Sequence, residues 1–226
     1  MNNNKFDCEL LRPVEYINEP DPRTTIFSKG LADYHKEIST INLNDNVPRD
    51  VVIQFETTKN LYLYGWFICS FYTVSEHHAL SCLEFALRSR YEKIIPKKYF
   101  PKHKAPGLKA LLQFSLDEKD IKNDEFETWR KITFNKAHSR YKHNKLQEMH
   151  ENGLDQIDLN YDEVAIGEED KDWNYVQMLN EILPQKRNGH AHGSSAVSMF
   201  HGPLHTIKIV SEVINQIYPA AISAPA

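Results

Sequence analysis

Apolar residues recur at helical intervals along most of the chain beyond Asn60. In "NLYLYGWFICSFYTVSEHHALSCLEFALRSRYE" there is no proline, and Leu80, Leu83, Leu87 and Tyr91 fall three or four residues apart. Trp66, Phe67, Ser70, Phe71 and Val74 continue the apolar coverage around much of the surface. This pattern predicts a long, deeply buried helix, or two helices broken near Gly65. Three prolines in "KIIPKKYFPKHKAPG" then force a loop, and "GLKALLQFSLDEK" predicts a short helix. A further helix is expected from about Asp124, with Phe126, Trp129, Ile132 and Thr133 on one face. The acidic stretch "DQIDLNYDEVAIGEED" reads as a loop ending in a helix cap.

Trp173, Val176, Leu179, Ile182 and Leu183 give the next helix its apolar stripe, and it should end or bend near Pro184. The last helix starts at Pro203, a favoured first-turn residue. Ile207, Val210, Val213, Ile214 and Ile217 form its stripe, and Pro219 stops it. The first fifty or so residues read differently. Pro13, Pro20, Pro22 and Pro48 among scattered polar residues predict an irregular extension over residues 1–58, with a short strand at "VVIQFE". The expected organisation is therefore an all-α helical domain over 59–219 and a frayed tail over 220–226.

At 226 residues, with 41% hydrophobic and 11% aromatic content, the chain can bury a core as one folded domain. Its 27 basic residues are balanced by 31 acidic ones, so any polyanion site must be local. Cys8, Cys69 and Cys82 have no CxxC spacing, which argues against a disulfide framework or a thiolate zinc site. Cys69 and Cys82 lie within an apolar pattern and are expected in the core. The beginning, "MNNNKFDCELLRPVEY", has neither a basic start nor an apolar run of leader length. No stretch approaches the roughly 18 uncharged apolar residues of a membrane span, so a cytoplasmic protein with no membrane partner is expected.

Chemistry concentrates in "LPQKRNGHAHGSS", between the last two long helices. His192 can exchange a proton near neutral pH, Arg187 offers a planar cationic fork matched to phosphate oxygens, and Asn188 can orient either by hydrogen bonding. Three readings are open: a solvated Asn-Gly turn, a metal site, or a catalytic constellation. In a continuous helix Arg187 and His192 lie about 140° apart around the axis. They converge if Gly189 breaks the helix, or if a second subunit supplies the missing group. His190, His192, His201 and His205 are close enough in sequence for a metal, but no cysteine lies nearby. No Walker loop, dinucleotide fingerprint or nucleophile elbow is present, and His77, His78, Ser81 and Cys82 read as helix packing.

Arg187, the polar Asn188, three intervening residues and His192 resemble the Arg-polar-x3-His signature of the HEPN superfamily, helical domains found in many prokaryotic RNA-cleaving toxins and defence proteins. The setting is similar too, with the long helix before Tyr91 and the closing "SEVINQIYP" in the corresponding places, over roughly residues 60–218. The resemblance implies a HEPN-like helical bundle and a metal-independent endoribonuclease with no cofactor. It implies a homodimer in which two such motifs meet across a two-fold axis, with Arg187, Asn188 and His192 catalytic. A toxin or antiviral effector with a cognate antitoxin or regulatory partner would fit, as would a catalytically inactive HEPN-like module that binds RNA, a nucleotide or a partner protein.

Other residues acquire roles beside these. His190, in place of the usual small or acidic spacer, is either a further proton carrier or a solvated residue. Glu84 is either a buried partner for Arg187 or an exposed partner of Arg88 one turn on. Two basic tracts could hold an RNA backbone. One includes Arg88, Arg90, Lys93, Lys97, Lys98, Lys102 and Lys104, interleaved with Tyr91, Tyr99 and Phe100, on which bases could stack. The other includes Arg130, Lys131, Lys136, Arg140, Lys142 and Lys145.

Overall fold

A computed structural model of the chain describes residues 10–26, 29–101, 105–193 and 200–220. The protein is all-α, with no strand among the described residues. It forms two compact units, one containing the described residues up to Asp120 together with those from Asn180 onward, the other spanning Ile121–Leu179.

The larger unit is built on helices α1 (Leu31–Ser39), α2 (Arg49–Tyr64), α3 (Ser70–Tyr91) and α4 (Leu108–Asp117). The strand expected at "VVIQFE" is instead part of α2. Val51, Phe55, Thr58 and Tyr62 are buried at helical spacing while Ile53 is half exposed, a pattern that alternation would not give. The tertiary stripe thus overrides the strand preference of the local Val-Val-Ile run. The extension is not simply irregular either, since α1 buries Tyr34 and Ile38 and Asp33 caps its start through the backbone N–H of Gly30 at 2.8 Å.

Helix α3 is the central element. It follows α2 through a turn that begins at Gly65, where an added Cβ would stand 2.5 Å from the Tyr72 ring. Leu80, Leu83, Leu87 and Tyr91 are all buried, as the spacing predicts, although Val74 is nearly half exposed. Cys69 and Cys82 are buried, and burial pushes the Cys82 thiol up to about 12. Tyr34, Tyr62, Tyr72 and Phe200 form a connected aromatic cluster with ring centroids 5.3–6.4 Å apart.

The smaller unit contains α5 (Glu127–Glu151), the one-turn α6 (Glu168–Lys171) and the beginning of α7 (Tyr175–Ala191). Its core is thin. Phe126, Thr133 and Ala137 are buried, but Ile132 is more than one-third exposed. Trp129 stacks parallel to Trp173, and Phe126 meets Tyr175 edge to face. Arg140 reaches from α5 to Asp170 at 2.7 Å and to the Ala165 carbonyl at 2.8 Å, which fixes the acidic loop. Its guanidinium holds the Asp170 carboxyl below the usual carboxylate range.

Helix α7 does not end at Pro184. It runs on to Ala191, and α8 (His201–Ile217) follows with Ile207, Val210, Val213, Ile214 and Ile217 all buried. A mid-helix proline costs about 3 kcal/mol, so the last two turns of α7 need tertiary support. They receive it from side chains on α3 and α8. No described helix is long and apolar enough to cross a membrane.

Candidate active site

The end of α7 is wound continuously through the Asn-Gly pair, so Gly189 does not break the helix. His192 donates its backbone N–H to the Asn188 carbonyl at 3.0 Å, which extends the helical pattern one residue past Ala191. Gly193 then stops the winding with φ of +66°, a conformation suited to glycine at a helix end. Arg187 and His192 consequently remain on different sides of one helix. Arg187 reaches α3, whereas His192 is exposed to solvent.

Behind the site lies a buried polar cluster that the pattern of residue types did not reveal. Glu76 of α3 is 1% exposed, and its Oε1 accepts from Lys186 Nζ at 2.5 Å and from Thr206 Oγ1 at 2.6 Å. Its Oε2 lies 3.0 Å from His190 Nε2. Lys186 also donates to Thr206 Oγ1 at 3.1 Å. His190 is therefore not a solvated residue, since its side chain is only 3% exposed. One clue was present in the sequence: Glu76 occupies the helical stripe of Tyr72, Ala79, Leu80 and Leu83, where a carboxylate must be paired. Lys186 and His190, four apart on α7, share the face that meets it.

Two turns along α3, Glu84 forms a second junction. Its Oε2 lies 3.2 Å from Arg187 Nη2 and its Oε1 accepts from Arg88 Nη2 at 3.0 Å. Both expected partners are engaged at once. Arg88 also donates to the Pro106 carbonyl at 3.1 Å, and Arg187 Nη1 lies 3.4 Å from the Asn188 amide oxygen. These residues line a groove of about 650 Å³ whose wall includes Glu84, Arg88, Lys98, Phe100, Arg187 and Asn188. The structure thus gathers Arg187, Asn188, Glu84, Arg88 and Lys98 in one place.

The remaining candidates divide. Arg90 and Lys97 are exposed, while Lys102 and Lys104 lie outside the described residues. In the smaller unit Arg130 is exposed, Lys131 pairs with Glu127, and Arg140 is committed to Asp170 and Glu169. Thirteen acidic residues against eight basic ones give that unit a negative net charge. No group of three or more His, Cys, Asp or Glu among the described residues is arranged to hold a metal ion. His78 is partnered with Thr58 Oγ1 at 2.9 Å, and burial lowers the proton affinity of His77, His78 and His205. For His77 the neighbouring His190 and Arg187 act in the same direction, and for His205 Lys186 and Lys208 do. The Ser81 hydroxyl donates to the His77 carbonyl at 3.0 Å, as a residue packed into a helix would. Comparison of the chain with protein-family models, with curated proteins and with solved structures gave no match.

Proposed function

We propose that this chain is a metal-independent endoribonuclease of the HEPN type, with Arg187, Asn188 and His192 forming half of a site that a second copy completes. The unbroken winding of α7 through Gly189 carries this reading. It keeps Arg187 and His192 on different sides of one helix, and pairing between two copies of the helix would reconcile that geometry with action on a single phosphate. A two-fold dimer brings two histidines to one cleft.

In that cleft one His192 takes the proton from an RNA 2′-hydroxyl as its oxygen attacks the adjacent phosphorus. The other gives a proton to the departing 5′-oxygen, leaving a 2′,3′-cyclic phosphate and a 5′-hydroxyl. Arg187 neutralises charge growing on the non-bridging oxygens, where a fixed guanidinium acts most strongly in the transition state. Glu84 holds that guanidinium in place, and the Lys186–Glu76–His190 cluster holds the turn of helix that carries it. Asn188, exposed beside Arg187, is free to orient the phosphate by hydrogen bonding.

The test is cleavage of single-stranded RNA by the purified protein with EDTA present. His192→Ala is expected to lower the rate about 100-fold or more. Equal cleavage by parent and variant would remove His192 from the reaction. A catalytically silent RNA-binding module is the second reading, favoured by one observation: the cations of the groove lie within a single chain and need no partner copy.

A further inference from the structure

The groove beside Arg187 carries more positive charge than the Glu84 junction consumes. Arg88, Lys98, Lys109 and Arg187 all line it, and Glu84 is the one carboxylate among the described lining residues. No ion pair holds Lys98 or Lys109 among the described residues, and both side chains are exposed. Two aromatic residues share the wall, and they are not equivalent. Tyr99 is already committed: its hydroxyl donates to Asp117, its ring meets Phe114 edge to face at 5.2 Å, and Lys98 Nζ sits 4.9 Å from its centroid. Phe100 is 39% exposed and leaves a ring for an incoming partner. Asn188 adds an exposed side-chain amide at the same rim.

Cations that can bind phosphate oxygens, a free aromatic ring and an amide able to read a base edge are the complement of one nucleotide. The volume of about 650 Å³ lies within the roughly 300–1,000 Å³ typical of sites for ligands of that size. We infer that this groove is a subsite for one nucleotide of single-stranded RNA adjoining the phosphodiester at Arg187, with its phosphate among Arg88, Lys98 and Lys109 and its base on Phe100. The inference rests on the RNA-directed reading of the Arg187 site and extends it from the cleaved bond to the neighbouring residue of the substrate. Glu84 is the internal counterion that Arg88 and Arg187 share before RNA arrives, and RNA phosphate competes with it.

The experiment measures binding rather than cleavage, using a fluorescent 2′-O-methyl single-stranded oligoribonucleotide of eight residues and the full chain. This probe lacks the attacking hydroxyl and stays intact, so a catalytically silent chain and an active one give the same result. Conversely, loss of groove binding leaves the His192→Ala cleavage comparison standing on its own. Lys98→Glu and Lys109→Glu are each expected to weaken binding about tenfold at low salt and to reduce the slope of log affinity against log salt by about one. Phe100→Ala is expected to weaken binding about fivefold or more with the slope unchanged. Circular dichroism confirms that each variant is folded. Unchanged affinity in all three folded variants would overturn the assignment. Adenosine monophosphate and inorganic phosphate serve as competitors: displacement only at far higher concentration than the unlabelled oligonucleotide supports an RNA subsite. Displacement by the monophosphate at equal or lower concentration would overturn it in favour of a free-nucleotide site.

Discussion

Glu76 and Glu84 stand two turns apart on α3, and consecutive residues of α7, Lys186 and Arg187, reach one each. The chemistry is similar and the settings are opposite. Glu76 is 1% exposed, with Thr206 and His190 closing around it, while Glu84 is 15% exposed and borders an open groove. A carboxylate sealed from water must keep its partners, because an uncompensated charge there is severely penalised. One at a groove wall can exchange a partner for solvent or for a ligand at little cost. The first junction therefore anchors the end of α7, and the second presents Arg187 to whatever enters the groove.

Breaking the sealed junction should have the largest effect. Glu76→Ala leaves Lys186 and His190 without their shared acceptor and is expected to destabilise the fold by about 3–5 kcal/mol, read by chemical denaturation. A loss below about 1 kcal/mol would show that Glu76 does not anchor α7. Acid acts on the same neighbourhood more gradually. His77 and His205 flank Glu76 and Thr206 in sequence, His78 lies beside them on α3, and burial lowers the proton affinity of all three. With the folded values below the ordinary histidine value of about 6.5, the unfolded chain takes up protons first as pH falls. Stability should be fully present above about pH 6.5 and decline below it. Denaturation midpoints that stay flat from pH 7.5 to 5.5 would contradict this.

The open junction should respond least in stability and most in binding. Glu84→Gln keeps the shape and removes one negative charge from the groove wall. Its folding stability should change by no more than about 1 kcal/mol, while affinity for the 2′-O-methyl oligonucleotide should rise. A large loss of stability in this variant would erase the distinction between the two carboxylates.

Much of the fold was legible because the longest apolar stripes are helical. The Leu80 to Tyr91 run and the Ile207 to Ile217 run each bury every residue that the spacing selects. Propensity misled where tertiary support outweighed it. The Val51–Glu56 segment is a helix because Val51 and Phe55 belong to a buried stripe with Thr58 and Tyr62. Helix α7 passes Pro184 and Gly189 because its end is tied to Glu76, a long-range contact that no local signal encodes. The true stop was visible at Gly193, directly after a histidine-rich last turn, and the Asn-Gly pair competed with it as a break point. Arg187, Asn188 and Glu84 could be singled out from residue type and spacing. The buried roles of Lys186, His190 and Thr206 could not, since their partner lies more than 100 residues away in the chain.

The central claim is that Arg187 and His192 act on one phosphate from two different chains. His192→Ala protein, mixed with an equal amount of the parental protein and allowed to exchange subunits, gives about half mixed dimers and about a quarter parental ones. Each mixed dimer keeps only one of the two histidines that the reaction uses, so the mixture should cleave single-stranded RNA at about a quarter of the rate of the same total amount of parental protein. A rate of about half would contradict the account, because each chain would then act alone.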